Sequence, residues 1–250
     1  MSFDRKKIFV LGTGRSGTCW MGDVLGQHPE VRSYVETRPI FDWVTQAAIS
    51  TRDEQELLPR IFAEYQRLYE EASPRHFADK SHPCIWFAEK LAEQFPDAYF
   101  VGVTRDVEPT VASMLKHSGV RRWCEEWSRY EVPNRFLGIT EGNLNWYRRA
   151  TVLERCVARW YAHRNELARL QQVLSSRFML IKYENLVLNT HATLLSLKDF
   201  LGLKREFPPI VTLASSLTKW ETDLASGDKA AIRSAIEFLS SENSSAYSFG

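Results

Sequence analysis

Charge almost cancels in this chain: 32 Lys and Arg stand against 31 Asp and Glu, a formal net charge of +1. No global field then draws it onto nucleic acid or a membrane surface, and its basic residues must act locally. Long apolar runs are lacking too. None reaches the ~18 residues of a membrane-crossing helix, and the opening MSFDRKKIFV holds an apolar run too short for a secretory leader. Cysteine is scarce: Cys19, Cys84, Cys124 and Cys156 are scattered, with neither metal-ligand spacing nor the density of a disulfide scaffold. Free thiols in a reducing, cytoplasmic setting are the simplest expectation, with a single disulfide left open. No metal is implied. No Pro-, Gly- or Ser-rich linker divides the middle, and no repeat of fixed period occurs. With 250 residues, 44% of them hydrophobic, the chain has material for a single domain over 1–250 with a substantial core.

What is present is an alternation of short apolar runs and helical patterns. KIFVLG at 7–12, AYFVGVTR at 98–105 and RFMLIKYE at 177–184 read as buried strands. Helical patterns follow or separate them at 18–28, 54–72, 83–95, 107–117, 152–174 and 190–203. Such alternation predicts an α/β fold with a central parallel sheet flanked by helices on both faces. Ligands of such sheets bind beyond the carboxyl ends of the strands, which directs attention to Gly12–Thr18, Arg105 and Tyr183. The stretch 119–145 differs. It is rich in Trp, Tyr, Arg and Glu and lacks periodicity. Two readings stand for it: an irregular acceptor-side lid, or an ordered surface helix that packs its Trp residues.

The stretch IFVLGTGRSGTCWM, residues 8–21, combines strand, Gly-rich turn and helix start. This arrangement offers an anion free backbone N–H groups and the positive end of a helix dipole. Gly12, Gly14 and Gly17 permit the tight turn, Arg15 adds a forked cation, and Ser16 and Thr18 add hydroxyls. The Lys that follows the last Gly of a nucleotide-triphosphate loop is missing; Thr18 stands there.

GTGRSGTCW, residues 12–20, resembles the loop by which sulfotransferases hold the 5′-phosphosulfate of 3′-phosphoadenosine 5′-phosphosulfate (PAPS), with Gly14 where Pro is common. The resemblance implies a P-loop-like sulfotransferase fold and donor contacts from Gly14, Arg15, Ser16, Gly17, Thr18, Cys19 and Trp20. Further motifs agree. VTRDVEPTVASMLKH places Arg105 and Ser113 at the spacing with which the family holds the 3′-phosphate, a group that calls for charge-assisted bonds. LIKYENLV resembles the Tyr-Glu-x-Leu segment whose Tyr contacts the nucleotide, here Tyr183. ASSLTKWETDL resembles the segment that closes over the donor, with Ser216, Lys219 and Trp220 as its contributions.

Sulfuryl transfer requires cations at the transferring group and leaving oxygen, and a base for the acceptor proton. GQHPEVRSYVETRPI resembles the tyrosylprotein sulfotransferase segment in which a Glu-Thr-Arg triplet supplies the base; this implies Glu36 as base, with Arg38 beside the acceptor. Lys80-Ser81-His82 resembles the Lys-Thr-His of cytosolic sulfotransferases, which makes His82 the second candidate. Glu36 ranks first because the match around it is longer. Lys80 suits both schemes as the cation at the leaving oxygen, joined by Arg15. His28, His76, His117, His163 and His191 show no ligand spacing and receive no role.

The expected function is sulfuryl transfer from PAPS, releasing the bisphosphate PAP, to a hydroxyl or amine of a small-molecule, lipid or carbohydrate acceptor. Trp123 and Trp127 are candidates for the acceptor surface. A P-loop small-molecule kinase using ATP and magnesium is the alternative, and a non-catalytic nucleotide-binding module a third reading. Oligomeric state is not legible.

Overall fold

The computed structural model describes residues 5–212 and 214–246. Five strands form one sheet: β1 (Lys7–Gly12), β2 (Val31–Val35), β3 (His76–Lys80), β4 (Ala98–Thr104) and β5 (Phe178–Lys182). The order across it is β2-β3-β1-β4-β5, and every pairing is parallel. The helices are α1 (Thr18–Gln27), α2 (Ile40–Ile49), α3 (Thr51–Glu71), α4 (Ala88–Gln94), α5 (Val107–Lys116), α6 (Ser118–Glu125), α7 (Leu144–Arg149), α8 (Val152–Leu174), α9 (Tyr183–Leu188), α10 (Thr190–Leu201) and α11 (Ser226–Ala246). This is the expected α/β architecture, with helices on both faces of a parallel sheet.

The sheet is covered on both sides because its strands are apolar on both. Along β1 every residue is buried, as continuous apolar runs in parallel sheets require. Alternation then sorts the side chains. Phe9 and Leu11 join Phe77, Phe100 and Phe178 in one core cluster under α3, α5 and α8. Ile8 and Val10 join Ala78, Val101 and Ile181 in the other, against Met21, Val24 and Leu25 of α1 and Leu194, Leu197 and Leu201 of α10. The 23-residue α8 starts on a full capping box, in which Thr151 and Glu154 satisfy each other's backbone N–H groups.

Three sequence expectations change in detail. The third apolar run ends as a strand at Lys182, and Tyr183 already opens α9. The pattern at 83–95 splits into a 3₁₀ turn, His82–Phe87, and α4. The stretch 119–145 is not irregular throughout: α6 occupies its start, a 3₁₀ turn covers Trp127–Arg129, and Asn134 and Ile139 bridge an ordered loop. Its aromatic residues pack, as the second reading had it: Trp123 meets Phe136 edge-on at 5.0 Å and Trp127 meets Tyr147 at 5.6 Å. Strands β2 and β3 carry no apolar run of the expected kind. VRSYV and HFADK hold polar residues instead: Arg32 pairs with Glu71 on the surface, and Asp79 and Lys80 lie at the carboxyl end of β3.

Candidate active site

The strand order reverses at β1: the chain goes from β1 to the edge at β2, returns through β3, and crosses to β4. A crevice opens at such a switch point, beyond the strand ends. Here all five strands deliver a candidate residue to it. Glu36 follows β2, Lys80 ends β3, the Gly-rich loop follows β1, Arg105 follows β4 and Tyr183 follows β5. The registers Val35↔Lys80, Gly12↔Val103 and Thr104↔Lys182 keep these ends level.

The loop is shaped by close approaches. A Cβ on Gly17, at φ 94°, would lie 2.3 Å from the Tyr183 ring; one on Gly12 would lie 2.5 Å from the Val103 carbonyl. Side chains are therefore excluded at both positions. Gly14 is backed by His82, whose Nε2 would stand 3.0 Å from a Cβ there. Arg15 and Glu36 both take positive φ, 80° and 48°. Non-glycine residues held in that region concentrate at functional sites. Ser16 is buried, and its hydroxyl donates to the Thr13 carbonyl at 2.6 Å. It thus ties the loop together rather than presenting its proton to the cleft.

Beside the loop lies a cleft of about 530 Å³ lined by Arg15, Gly17, Thr18, Cys19, Trp20, Arg105, Ser113, Tyr183, Lys219 and Trp220, all expected from the sequence. His117, Lys116 and Asp223 line it as well, and sequence reasoning missed all three. Lys116 pairs with Asp223 across the mouth, a contact between residues over a hundred positions apart that no local pattern signals. Arg15 Nε donates to Ser113 Oγ at 3.2 Å, so loop and α5 meet at one point. The Arg105 guanidinium lies 4.3 Å from the centre of the Tyr183 ring and donates to the Ser216 carbonyl at 2.7 Å. Its Nε is buried without a hydrogen-bond partner among the described residues. Trp160 Nε1 holds the Arg105 carbonyl at 2.9 Å. The Tyr183 hydroxyl donates to Ser216 Oγ at 2.9 Å, which brings the 214–222 segment over the cleft without placing Ser216 in its lining.

Next to this cleft sits a second cluster. Lys80, 1% exposed, donates to Glu36 Oε1 and, at 3.1 Å, to Cys19 Sγ. Cys19 lines the cleft, so it joins the two groups. Burial would raise the Glu36 carboxyl, but the approach of His82 and the Lys80 ammonium outweigh it and hold the group at about 2. His82 Nδ1 lies 3.4 Å from Glu36 Oε1, yet neither ring nitrogen has a hydrogen-bond partner among the described residues. Burial first, then the charges of Lys80 and Arg159, lower His82 to about 3. It is a neutral, enclosed ring at neutral pH. Behind Lys80, Asp79 accepts from Tyr65 at 2.9 Å and from Ser81 at 3.2 Å. Burial raises it to about 7 despite those bonds.

The other acceptor-side candidates separate. Arg38 is exposed and faces Asp42 at 3.5 Å. Trp123 lines a second groove of about 580 Å³ with Phe41, Ile49 and Tyr130, and Phe41 in turn packs on His82 at 5.9 Å. Trp127 lines neither cavity and packs between Tyr147 and Arg155. Among the described residues, no group of three or more His, Cys, Asp or Glu side chains is placed to hold a metal ion, and no helix is long and apolar enough to cross a membrane.

A parallel sheet with a glycine-rich loop at its switch point, and a cleft lined by cations at the neighbouring strand end, defines the class: an α/β protein whose cleft lies beyond the carboxyl ends of its strands. The model of the sulfotransferase family matches residues 7–208, and the chain belongs to that family. A protein-tyrosine sulfotransferase of Drosophila melanogaster is 26% identical over 214 residues, 78% of this chain and 38% of its own. Protein-tyrosine sulfotransferase A of Caenorhabditis elegans is 25% identical over 213 residues, 78% of this chain and 50% of its own. The chain thus spans half or less of the length of these relatives. Among solved structures, the sulfotransferase domain from the curacin biosynthetic pathway superposes with a TM-score of 0.60 at 17% identity, covering 94% of this chain and 98% of that one. The sulfotransferase domain of the Synechococcus PCC 7002 olefin synthase gives 0.58 at 14% identity, covering 95% and 97%. The fold is that of the sulfotransferases.

Proposed function

We propose that the chain transfers a sulfuryl group from PAPS to a hydroxyl, or an amine, of a small-molecule, lipid or carbohydrate acceptor. The observation that carries this reading is the cleft that gathers Arg15, Arg105, Ser113 and Lys219 with the aromatic rings of Trp20, Tyr183 and Trp220. The donor set fits such a nucleotide: separated cations for its anionic ends, rings for its base, and in Arg105 Nε a buried donor left without a partner. Arg105 and Ser113 would hold the 3′-phosphate, and Arg15 with the loop N–H groups and Thr18 the 5′ end. Bound there, the sulfonucleotide supplies the sulfuryl group and a bisphosphate leaving group.

The chain's own residues divide the rest. Lys80 neutralises Glu36 as the site stands. A carboxylate held at about 2 is a weak base. Were the Lys80 ammonium to pair with the leaving oxygen instead, Glu36 would lose its ion pair and gain basicity, and donor binding would then be coupled to base activation. Cys19, which accepts from Lys80, lies on that path. Glu36, about one-third exposed, can reach an acceptor proton, whereas His82 is enclosed. His82 is then a positioning ring wedged between Gly14 and Phe41. The groove lined by Phe41, Ile49, Trp123 and Tyr130 suits an apolar acceptor body. The protein-tyrosine sulfotransferase names of the relatives favour a hydroxyl as the accepting group.

Calorimetric titration with adenosine 3′,5′-bisphosphate, beside ADP and ATP with magnesium, tests the reading without knowledge of the acceptor. Tight binding of the bisphosphate alone is the expected result. Preference for ATP with magnesium would sink it and put the kinase alternative first.

A further inference from the structure

Behind the acceptor-side groove, α6, α7 and α8 enclose polar side chains that the transfer reaction does not use. Arg159, on α8, has no solvent exposure, and none of its three guanidinium nitrogens has a hydrogen-bond partner among the described residues. The charge rests on aromatic faces, 4.5 Å from the centre of Phe136 and 5.6 Å from that of Trp123. Such contacts offset only part of what burying a charge costs. A guanidinium cannot escape that cost by losing its proton. The acidic groups close enough to answer it are Cys124, Cys156 and Tyr147, and none of them is a carboxylate.

These three groups are arranged unequally. Cys124 and Cys156 are both fully buried, and Cys156 Sγ donates to Cys124 Sγ at 3.8 Å. The Tyr147 hydroxyl has no hydrogen-bond partner among the described residues. A thiol that accepts a hydrogen bond from a second thiol and feels a buried cation is the one whose ionised form is favoured. The Cys156 hydrogen bond first, then Arg159 and Arg155, accordingly move Cys124 down against the effect of burial, and the same hydrogen bond moves Cys156 up.

We propose that Cys124 and Cys156 form a buried dithiol that a peroxide closes into a disulfide between α6 and α8, with Arg159 as the counter-charge of the attacking Cys124 sulfur. The chemistry balances with hydrogen peroxide as the oxidant. The Cys124 sulfur attacks one peroxide oxygen; an S–O bond forms, the O–O bond breaks, and the departing hydroxide takes up the proton that Cys124 had released. The Cys156 sulfur then attacks the resulting sulfenic acid. The S–S bond forms, the S–O bond breaks, and the hydroxyl leaves as water with the Cys156 proton. Two thiols and one peroxide give one disulfide and two waters. The sulfurs must close from 3.8 Å to bonding distance, about 2 Å, a shift within reach of the short α6. The bridge would tie down the helix that carries Trp123 of the groove and adjoins His117 of the cleft. This site stands whatever the chain transfers.

The remaining thiols serve as internal controls, since Cys19 is exposed in the first turn of α1 and Cys84 is buried elsewhere, against Tyr65. The full chain would be treated with hydrogen peroxide, unfolded in a maleimide, and mapped by peptide mass. The expected product is a peptide pair joined through Cys124 and Cys156 and lighter by two hydrogens, with Cys84 alkylated, and no such pair in Cys156→Ser. Recovery of both Cys124 and Cys156 alkylated, at peroxide levels that oxidise Cys19, overturns the proposal. A second measurement needs no oxidant: a pH titration of the ultraviolet thiolate band of the folded protein. A component that ionises below the ordinary thiol range and disappears in Cys124→Ser is expected, and a titration that the substitution leaves unchanged overturns the pairing of Arg159 with Cys124.

Discussion

Glu36 and His82 face each other, with Nδ1 3.4 Å from Oε1, yet their surroundings assign them different work. Glu36 follows an edge strand, remains partly open to solvent and shares its charge with Lys80. His82 is enclosed, and burial with two nearby cations keeps it neutral. Glu36→Gln is therefore expected to cut turnover by ~10²–10⁴, the usual contribution of a general base, while bisphosphate affinity measured by calorimetry stays at least as high. If His82→Ala produces that loss of turnover and Glu36→Gln does not, the assignment is reversed. Arg105 gives the complementary case. Its Nε is without a partner among the described residues and it follows the end of β4, which supports the proposed role at the 3′-phosphate. Arg105→Ala is expected to weaken bisphosphate binding by about 1.5–3 kcal/mol, as loss of hydrogen bonds to a charged group does. Unchanged affinity would remove it from the site. The sequence motifs named both residues. They could not say that Lys80 and Glu36 are paired, because that depends on β2 and β3 lying side by side.

At the scale of elements, β3 sets a pH dependence. Asp79 is buried between Tyr65 and Ser81, with its acid form favoured up to about 7 against an ordinary 3.8. Between those values the folded chain holds a proton that the unfolded chain has released, so stability falls as pH rises through the window. Denaturant titrations from about pH 4 to 7 should show this decline, and Asp79→Asn should flatten it. A slope that survives the substitution would place the titrating group elsewhere. Glu36 acts in a separate window and with the opposite sign. Its depressed group contributes stability above its ordinary 4.5, and that contribution is lost as pH falls toward about 2. The helix starts were more legible than these strands. Thr151 and Glu154 at the head of α8 form a capping box that spacing alone identifies. Strands β2 and β3 escaped because they trade apolar residues for Arg32, which pairs with Glu71 on the surface, and for Asp79 and Lys80, so the period that marks a strand is interrupted.

For the whole molecule, the cleft is closed by parts distant in the chain: the loop after β1, one face of α5, the head of α9 and the 214–222 segment. A ligand that bridges them should stabilise the folded state as a unit. At a hundredfold excess over its dissociation constant, adenosine 3′,5′-bisphosphate should add about 2.7 kcal/mol, a rise in melting temperature of roughly 5–10 °C for a chain of this size. ATP with magnesium should not match it in a thermal-shift titration, and equal shifts would argue against a bisphosphate site. The amino-acid sequence by itself determined the class of fold, the glycine-rich loop and the identity of most cleft residues. Those follow from local rules: apolar runs make buried strands, glycines permit the turn, and cations follow strand ends. Only the tertiary structure decided the partners. The pairing of Lys80 with Glu36, the backing of Gly14 by His82, the clasp of Lys116 on Asp223, and Arg159 beside the Cys124 thiol all join segments far apart in sequence. The physical reason is that burial and charge pairing depend on what the fold places within a few ångströms, and one-dimensional spacing does not carry that distance.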